Sequence, residues 1–123
     1  MVEKKQIDWS SLGFGYQKTD YRFVANYRNG GWEEGFLSED ENVVINECAG
    51  VLQYSQSCFE GLKAYTTEDG HIVTFRPDLN ASRMMDSAKR LEMPPFPAER
   101  FLDAICKVVK ANESFVPPYF MAP

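Results

Sequence analysis

A β-hairpin that runs directly into a helix start restricts the fold of this chain more than any other feature. The stretches "LKAYT" and "HIVTFR" alternate apolar and polar side chains, the period of a half-buried strand, and "TEDG" between them has turn composition. Pro77 stops the second strand. We expect Asp78 to cap the next helix, because its carboxylate can accept the free amide hydrogens of the first turn.

Two helices are predicted after this hairpin. From Leu79 to Met93, apolar residues recur at helical spacing, while Arg83 and Arg90 share a polar flank. A proline-rich break follows, and residues 98–112 carry a second apolar stripe of Phe, Leu, Ile and Val. Both stripes are suited to packing against a sheet.

The first half of the chain predicts a second hairpin. About the first 20 residues are irregular, and then residues 21–28 alternate apolar and polar side chains. The sequence Asn29-Gly30-Gly31 supplies the positive φ angles of a tight turn. Trp32 to Leu37 is the predicted returning strand.

The segment between the two hairpins gives weaker signals. Val43 to Ile45 is short, apolar and β-branched, which predicts a third strand. A helix is predicted from about Val51 to Glu60, closed by Gly61 in a left-handed cap. Because strands joined by hairpins outnumber helices, the predicted class is α+β, with a mainly antiparallel sheet and helices packed on it.

Composition excludes several kinds of partner. The 123 residues are the size of one domain, and the net charge of −5 without a basic block argues against nucleic acid. No apolar run approaches the roughly 20 residues that span a bilayer, and the amino terminus lacks a signal-peptide stretch. Three scattered cysteines favour neither a disulfide framework nor a metal site, so a reducing cytoplasm is expected.

The residues alone indicate no catalytic centre. There is no glycine-rich phosphate loop, no metal-ligand cluster and no Ser/His/Asp set with interpretable spacing. The single histidine, His71, is expected to be a solvated turn residue. Without further information, Arg83 is a surface cation that pairs with Asp86 one turn on.

Several linked motifs nevertheless resemble one enzyme family. The stretch "LQYSQSCFEGLKAY", followed by the hairpin and "FRPDLNASRMMDSAKRLEMP", is similar to the amino-terminal part of branched-chain amino acid aminotransferases. These are fold-type IV enzymes that depend on pyridoxal 5'-phosphate. The similarity runs from about Leu12 to Pro118. It implies that residues 1–123 form the small domain, and that the larger cofactor-binding domain lies outside them.

The resemblance also assigns roles to individual residues. Arg83 matches the arginine that binds the cofactor phosphate, and a guanidinium suits phosphate oxygens. Phe14, Tyr54 and Phe59 match walls of the pocket for the side chains of leucine, isoleucine and valine; the alternative for each is an ordinary core aromatic, and for Phe14 the two are evenly balanced. The Tyr54 position reaches into the neighbouring subunit in relatives, which implies a homodimer. Gly61 permits close approach of substrate, or is simply a helix cap.

The same resemblance indicates what these residues do not supply. In the family, the lysine that forms a Schiff base with the cofactor belongs to the carboxy-terminal domain, so no catalytic residue is assigned here. The implied reaction moves the amino group of a branched-chain amino acid to 2-oxoglutarate, and this region alone is expected to be inactive. Glu60 and Lys63 are expected to form only a strand-edge ion pair. A non-catalytic interaction module, a D-amino acid aminotransferase and an aminodeoxychorismate lyase remain alternatives.

Overall fold

Short antiparallel strands and two longer helices make up the fold, which confirms the α+β class. The computed structural model describes residues 2–121, and every strand pair in that range is antiparallel. Two 3-10 turns occupy Trp9–Ser11 and Glu113–Phe115. The strands are β1 Arg22–Val24, β2 Tyr27–Arg28, β3 Gly31–Trp32, β4 Phe36–Ser38, β5 Ala64–Thr66 and β6 Ile72–Thr74, and the helices are α1 Gly50–Gln53, α2 Pro77–Arg90 and α3 Ala98–Ala111.

The predicted first hairpin is present but is interrupted halfway along. Strand β1 pairs with β4, with Phe23 opposite Leu37, and β2 pairs with β3 across the predicted turn. Asn29 and Gly30 have φ angles of 54° and 78°, as the turn requires. A bend at Gly35, where φ is 87°, separates the two ladders.

The second predicted hairpin is confirmed as β5 and β6, with Tyr65 opposite Val73. The Asp78 cap is wrong, because α2 begins at Pro77 and Asp78 lies inside its first turn. The Asp78 carboxylate accepts hydrogen bonds from the Arg76 guanidinium instead, at 2.8 and 3.0 Å. Arg76 has a φ of 45°, and this turn carries the chain from β6 into the helix.

Two predictions for the segment between the hairpins are wrong. Residues 43–45 form no strand, and their apolar side chains are exposed, since no neighbouring strand offers a ladder of hydrogen bonds. The predicted helix ends at Gln53 rather than near Glu60, because Ser55 adopts a φ of 53° and the chain leaves the helical path. Gly61 is outside the left-handed region, so it caps no helix.

The core lies where α2 meets α3 and where α3 meets β1. Ala81 and Ala88 are buried on the inner face of α2, and the predicted apolar stripe of α3 is half-buried. In the described range, the sheet is three separate two-stranded ladders rather than one continuous sheet. None of the described helices combines the length and apolarity needed to span a membrane.

One buried amide ties the end of α3 to the start of the first hairpin. The Asn112 side chain accepts a hydrogen bond from the Tyr21 amide at 2.9 Å and donates to the Tyr21 carbonyl at 2.7 Å. Its amide nitrogen also donates to the Val108 carbonyl at 2.9 Å. The Asn112 side chain therefore makes the hydrogen bonds that a neighbouring strand would otherwise make with the Tyr21 backbone, and it fixes β1 against α3.

Candidate functional site

Helix α2 presents Arg83 on its outer side. Ala81 and Ala88 face the core, and Arg83 lies about 200° around the helix from Ala81, given 100° per residue. The Arg83 side chain is 69% exposed. The helix thus holds a cation at the surface, two turns from its start.

The Glu60 carboxylate binds that cation along one edge. The Arg83 Nε atom donates to Glu60 Oε2 at 2.8 Å and to Oε1 at 3.1 Å, and Nη2 also donates to Oε1. The Glu60 side chain is only 3% exposed. The hydrogen bond from Arg83, with a smaller one from Asn80, lowers the pKa of Glu60 from 4.5 to about 2. In turn, the hydrogen bond to Glu60 raises the pKa of Arg83, which stays charged.

Asn80, one helical turn before Arg83 on α2, also binds the segment that contains Glu60. Its amide nitrogen donates to Glu60 Oε1 and to the Gly61 carbonyl, both at 2.9 Å. The thiol of Cys58 contacts the Met84 sulfur at 3.4 Å, a further link between this segment and α2. Three side chains of α2 therefore hold residues 58–61 in place.

Phe59 and Gly61 flank this ion pair and contact each other. A Cβ atom added at Gly61 would lie 3.3 Å from Cζ of Phe59, so the ring is folded back towards the glycine. The Phe59 side chain is 88% exposed. We call the set Phe59, Glu60, Gly61, Asn80 and Arg83 the α2 surface site. Within it lie three of the five residues that the sequence singled out.

Phe14 and Tyr54 lie outside the α2 surface site. Phe14 is fully exposed in the segment before β1, and Tyr54 is exposed directly after α1. In the described part of the chain, neither makes a ring contact with Phe59. The alternative that Phe14, Tyr54 and Phe59 are core aromatics is therefore wrong for all three.

One alternative for a charged residue was also wrong, and one prediction was confirmed. Arg83 pairs with the Glu60 carboxylate rather than with Asp86. His71 is exposed in its turn, with Nδ1 2.8 Å from an Asp69 carboxylate oxygen, as expected of a solvated residue.

Two apolar pockets lie elsewhere in the structure. One, of about 650 Å³, opens between the amino-terminal segment, β5 and the end of α3. The other, of about 660 Å³, opens between the first hairpin and the two long helices, against Phe23, Trp32 and Ile105. Neither is lined by Phe59 or Arg83, and both of those side chains are exposed, so the candidate site lies on the surface.

Comparison with curated proteins identifies the family. The chain is 51% identical over 115 residues to a branched-chain-amino-acid aminotransferase of Haemophilus influenzae, a match that covers 94% of this chain and 34% of that protein. It is 45% identical over 119 residues to the Helicobacter pylori enzyme of the same name, covering 97% of this chain and 35% of the relative. The chain belongs to the branched-chain-amino-acid aminotransferase family.

The match to this family is partial in length. The chain spans about a third of the curated relatives that it matches and corresponds to their amino-terminal portion. A methionine aminotransferase of Arabidopsis thaliana is also 43% identical over 113 residues, covering 91% of this chain and 32% of the relative. No protein-family model matches the chain.

The α2 surface site fits the phosphate of the family's cofactor. In the described residues, the hydrogen bonds of Arg83 use Nε and Nη2, which leaves the Nη1 donors for phosphate oxygens. A guanidinium can bind two anions along different edges because its five N–H groups point in fixed directions. The exposure of Arg83 gives a ligand access to that outer edge.

Sequence reasoning missed Glu60 and Asn80 as members of the α2 surface site. Asn80 lies three residues before Arg83, so helical spacing places both on one face and could have pointed to Asn80. Glu60 is 23 residues from Arg83, and no periodicity links them. Only the three-dimensional fold brings that carboxylate to the helix.

Proposed function

We propose that this chain forms the amino-terminal small domain, residues 1–123, of a pyridoxal-phosphate-dependent transaminase. In this proposal the enzyme moves the amino group of leucine, isoleucine or valine to 2-oxoglutarate. The observation that carries the proposal is 51% identity over 94% of the chain to a branched-chain-amino-acid aminotransferase. The proposed activity belongs to the whole protein, and the residues described here contribute binding rather than the chemical step.

Arg83 is the proposed contact to the cofactor. When bound, pyridoxal phosphate supplies an electron sink for the substrate's α-carbon. The Arg83 guanidinium would donate hydrogen bonds to phosphate oxygens through its outer edge, and such charge-assisted bonds are about twice as strong as neutral ones. Its raised pKa keeps it cationic throughout the working range of an enzyme.

Phe59, Gly61, Phe14 and Tyr54 are the proposed contacts to the substrate side chain. Exposed aromatic rings provide apolar area with few rotatable bonds, which suits an aliphatic side chain. Gly61 lets backbone and substrate approach closely, since a larger residue would push against the Phe59 ring. Because a methionine aminotransferase is 43% identical to this chain, we expect the walls to accept unbranched as well as branched apolar side chains.

A homodimer in the cytoplasm is part of the same proposal. Tyr54 and Phe14 project large apolar surfaces that another polypeptide could bury. The three cysteines are unpaired, as suits a reducing compartment. A non-catalytic module, a D-amino acid aminotransferase or a lyase is less favoured, because the relatives are named branched-chain and methionine aminotransferases.

The decisive experiment measures cofactor affinity in the natural protein that carries this sequence. Arg83→Ala should raise the dissociation constant of pyridoxal phosphate about tenfold or more, the loss expected for charge-assisted hydrogen bonds. Arg90→Ala is the matched control, since Arg90 is an exposed arginine two turns further along α2. Equal affinity in Arg83→Ala and the unmodified protein would contradict the proposed phosphate contact.

A further inference from the structure

We propose that Glu60 and Asn80 are positioning residues, which hold Arg83 in the conformation that binds the cofactor phosphate. This inference rests on the proposed function of Arg83. It concerns two residues that take no part in the contacts assigned above. Its basis is the arrangement of hydrogen bonds and the unequal exposure of the two ion-pair partners.

The exposure of the two partners differs sharply. Glu60 is 3% exposed and Arg83 is 69% exposed, so the carboxylate lies on the inside of the pair and the guanidinium on the outside. Two hydrogen bonds from Nε and one from Nη2 bind the inner edge to the carboxylate. The guanidinium plane is therefore fixed with its remaining edge towards the surface.

Asn80 fixes the carboxylate in turn. Its amide donates to Glu60 Oε1 and to the Gly61 carbonyl, so the side chain and the backbone of the 58–61 segment are held together. An arginine that is already ordered loses less conformational entropy when it binds phosphate. The chain Asn80–Glu60–Arg83 is thus suited to preorganising one phosphate contact.

The negative charge of Glu60 has an opposing effect. A carboxylate near the binding edge lowers the attraction between Arg83 and a phosphate. Glu60, however, occupies the far edge of the guanidinium, and water screens charges at the exposed outer edge. We infer that ordering outweighs this repulsion. The two effects predict opposite signs for the removal of Glu60, so an experiment separates them.

The test compares pyridoxal phosphate with pyridoxal, which lacks the phosphate, as ligands of the natural protein. Glu60→Ala should weaken pyridoxal phosphate binding about fivefold and leave pyridoxal binding unchanged. Glu60→Gln keeps one acceptor oxygen and should have a smaller effect in the same direction. The double variant Glu60→Ala/Arg83→Ala should bind no more weakly than Arg83→Ala, because Glu60 acts through Arg83.

The ³¹P NMR shift of the bound cofactor gives a readout independent of activity. It should move in the same direction in Glu60→Ala and Arg83→Ala.

Unchanged or tighter pyridoxal phosphate binding in both Glu60 variants overturns the inference, and so does an equal loss for both ligands. If Glu60→Ala does not fold, Glu60→Gln alone decides by the same criteria. Normal binding in Arg83→Ala overturns the proposed phosphate contact as well, whereas weak binding there with normal binding in the Glu60 variants overturns only the positioning role.

Discussion

Arg83 and Glu60 are 23 residues apart in the sequence and share three side-chain hydrogen bonds. One residue belongs to a long helix and the other to an irregular segment without regular secondary structure. Their contact holds residues 58–61 against α2, so that Phe59 and Gly61 lie beside the Arg83 guanidinium. The ion pair therefore organises the surface proposed for cofactor and substrate.

The first prediction concerns the acid titration of Glu60. Its folded-state pKa of about 2 lies below the ordinary value of 4.5, mainly because Arg83 donates hydrogen bonds to the ionised form. The stabilising contribution is complete above pH 4.5 and is lost as the pH falls towards 2. Carboxyl ¹³C NMR should show a midpoint near 2 that moves towards 4.5 in Arg83→Ala. A midpoint above 4 in the unmodified protein would mean that the pair is not formed.

The second prediction concerns the Phe59 ring, a proposed contact to the substrate side chain. Phe59→Ala should raise the KM for leucine about tenfold in the natural protein, because it removes apolar area from the surface proposed to contact the substrate side chain. Phe75→Ala is a matched control, since Phe75 is similarly exposed but lies outside the α2 surface site, directly after β6. Steady-state kinetics with leucine and methionine would compare both variants. Similar KM values for the two variants would exclude Phe59 as a contact to the substrate.

The third prediction concerns the buried amide of Asn112. Asn112→Ala should lower the free energy of unfolding by about 2 kcal/mol, because the amide and carbonyl of Tyr21 lose their partner in a part-buried position. Asn42→Ala should change the free energy of unfolding by less than about 0.5 kcal/mol. Asn42 is exposed, and its side-chain amide donates a hydrogen bond to the nearby Asp40 carboxylate. Urea denaturation measures both values. Equal effects would show that Asn112 does not anchor β1.

Local patterns in the sequence predicted much of the fold. Both hairpins and both long helices follow from alternation, turn residues and helical spacing, which depend on neighbours within a few residues. The errors in the segment between the hairpins occurred where contacts between residues distant in the sequence determine the structure. Residues 54–60 have helical features, but the amide of Gln56 donates to the Leu91 carbonyl and Glu60 binds Arg83, so the segment follows α2 instead. Val43 to Ile45 has strand residues without a strand to pair with.

The candidate site was also predictable only in part, because some of its contacts join residues that are distant in the sequence. Arg83, Phe59 and Gly61 came from motif resemblance, and the structure brings them into one surface. Glu60 was expected to pair with Lys63 three residues away, because sequence reasoning favours near neighbours. The pairing with Arg83 depends on how residues 58–61 cross the helix, which no local pattern specifies.

The fourth prediction concerns the bend at Gly35. A Cβ atom there would lie 2.5 Å from Cζ of Phe23, and the φ of 87° disfavours a residue with a side chain. Gly35→Ala should therefore lower the free energy of unfolding by about 2–4 kcal/mol, the sum of backbone strain and overpacking. Gly31→Ala is the control, because its Cβ would meet open space.

Urea denaturation of the two glycine variants tests this bend directly. A Gly35→Ala variant as stable as Gly31→Ala would show that the Phe23 ring moves aside at little cost. If the ring clash is the larger part of the penalty, Phe23→Leu should reduce the effect of Gly35→Ala, because the shorter side chain leaves room for the added methyl group. If backbone strain is the larger part, Gly35→Ala should cost the same in both backgrounds, since shortening Phe23 leaves the φ of residue 35 unchanged.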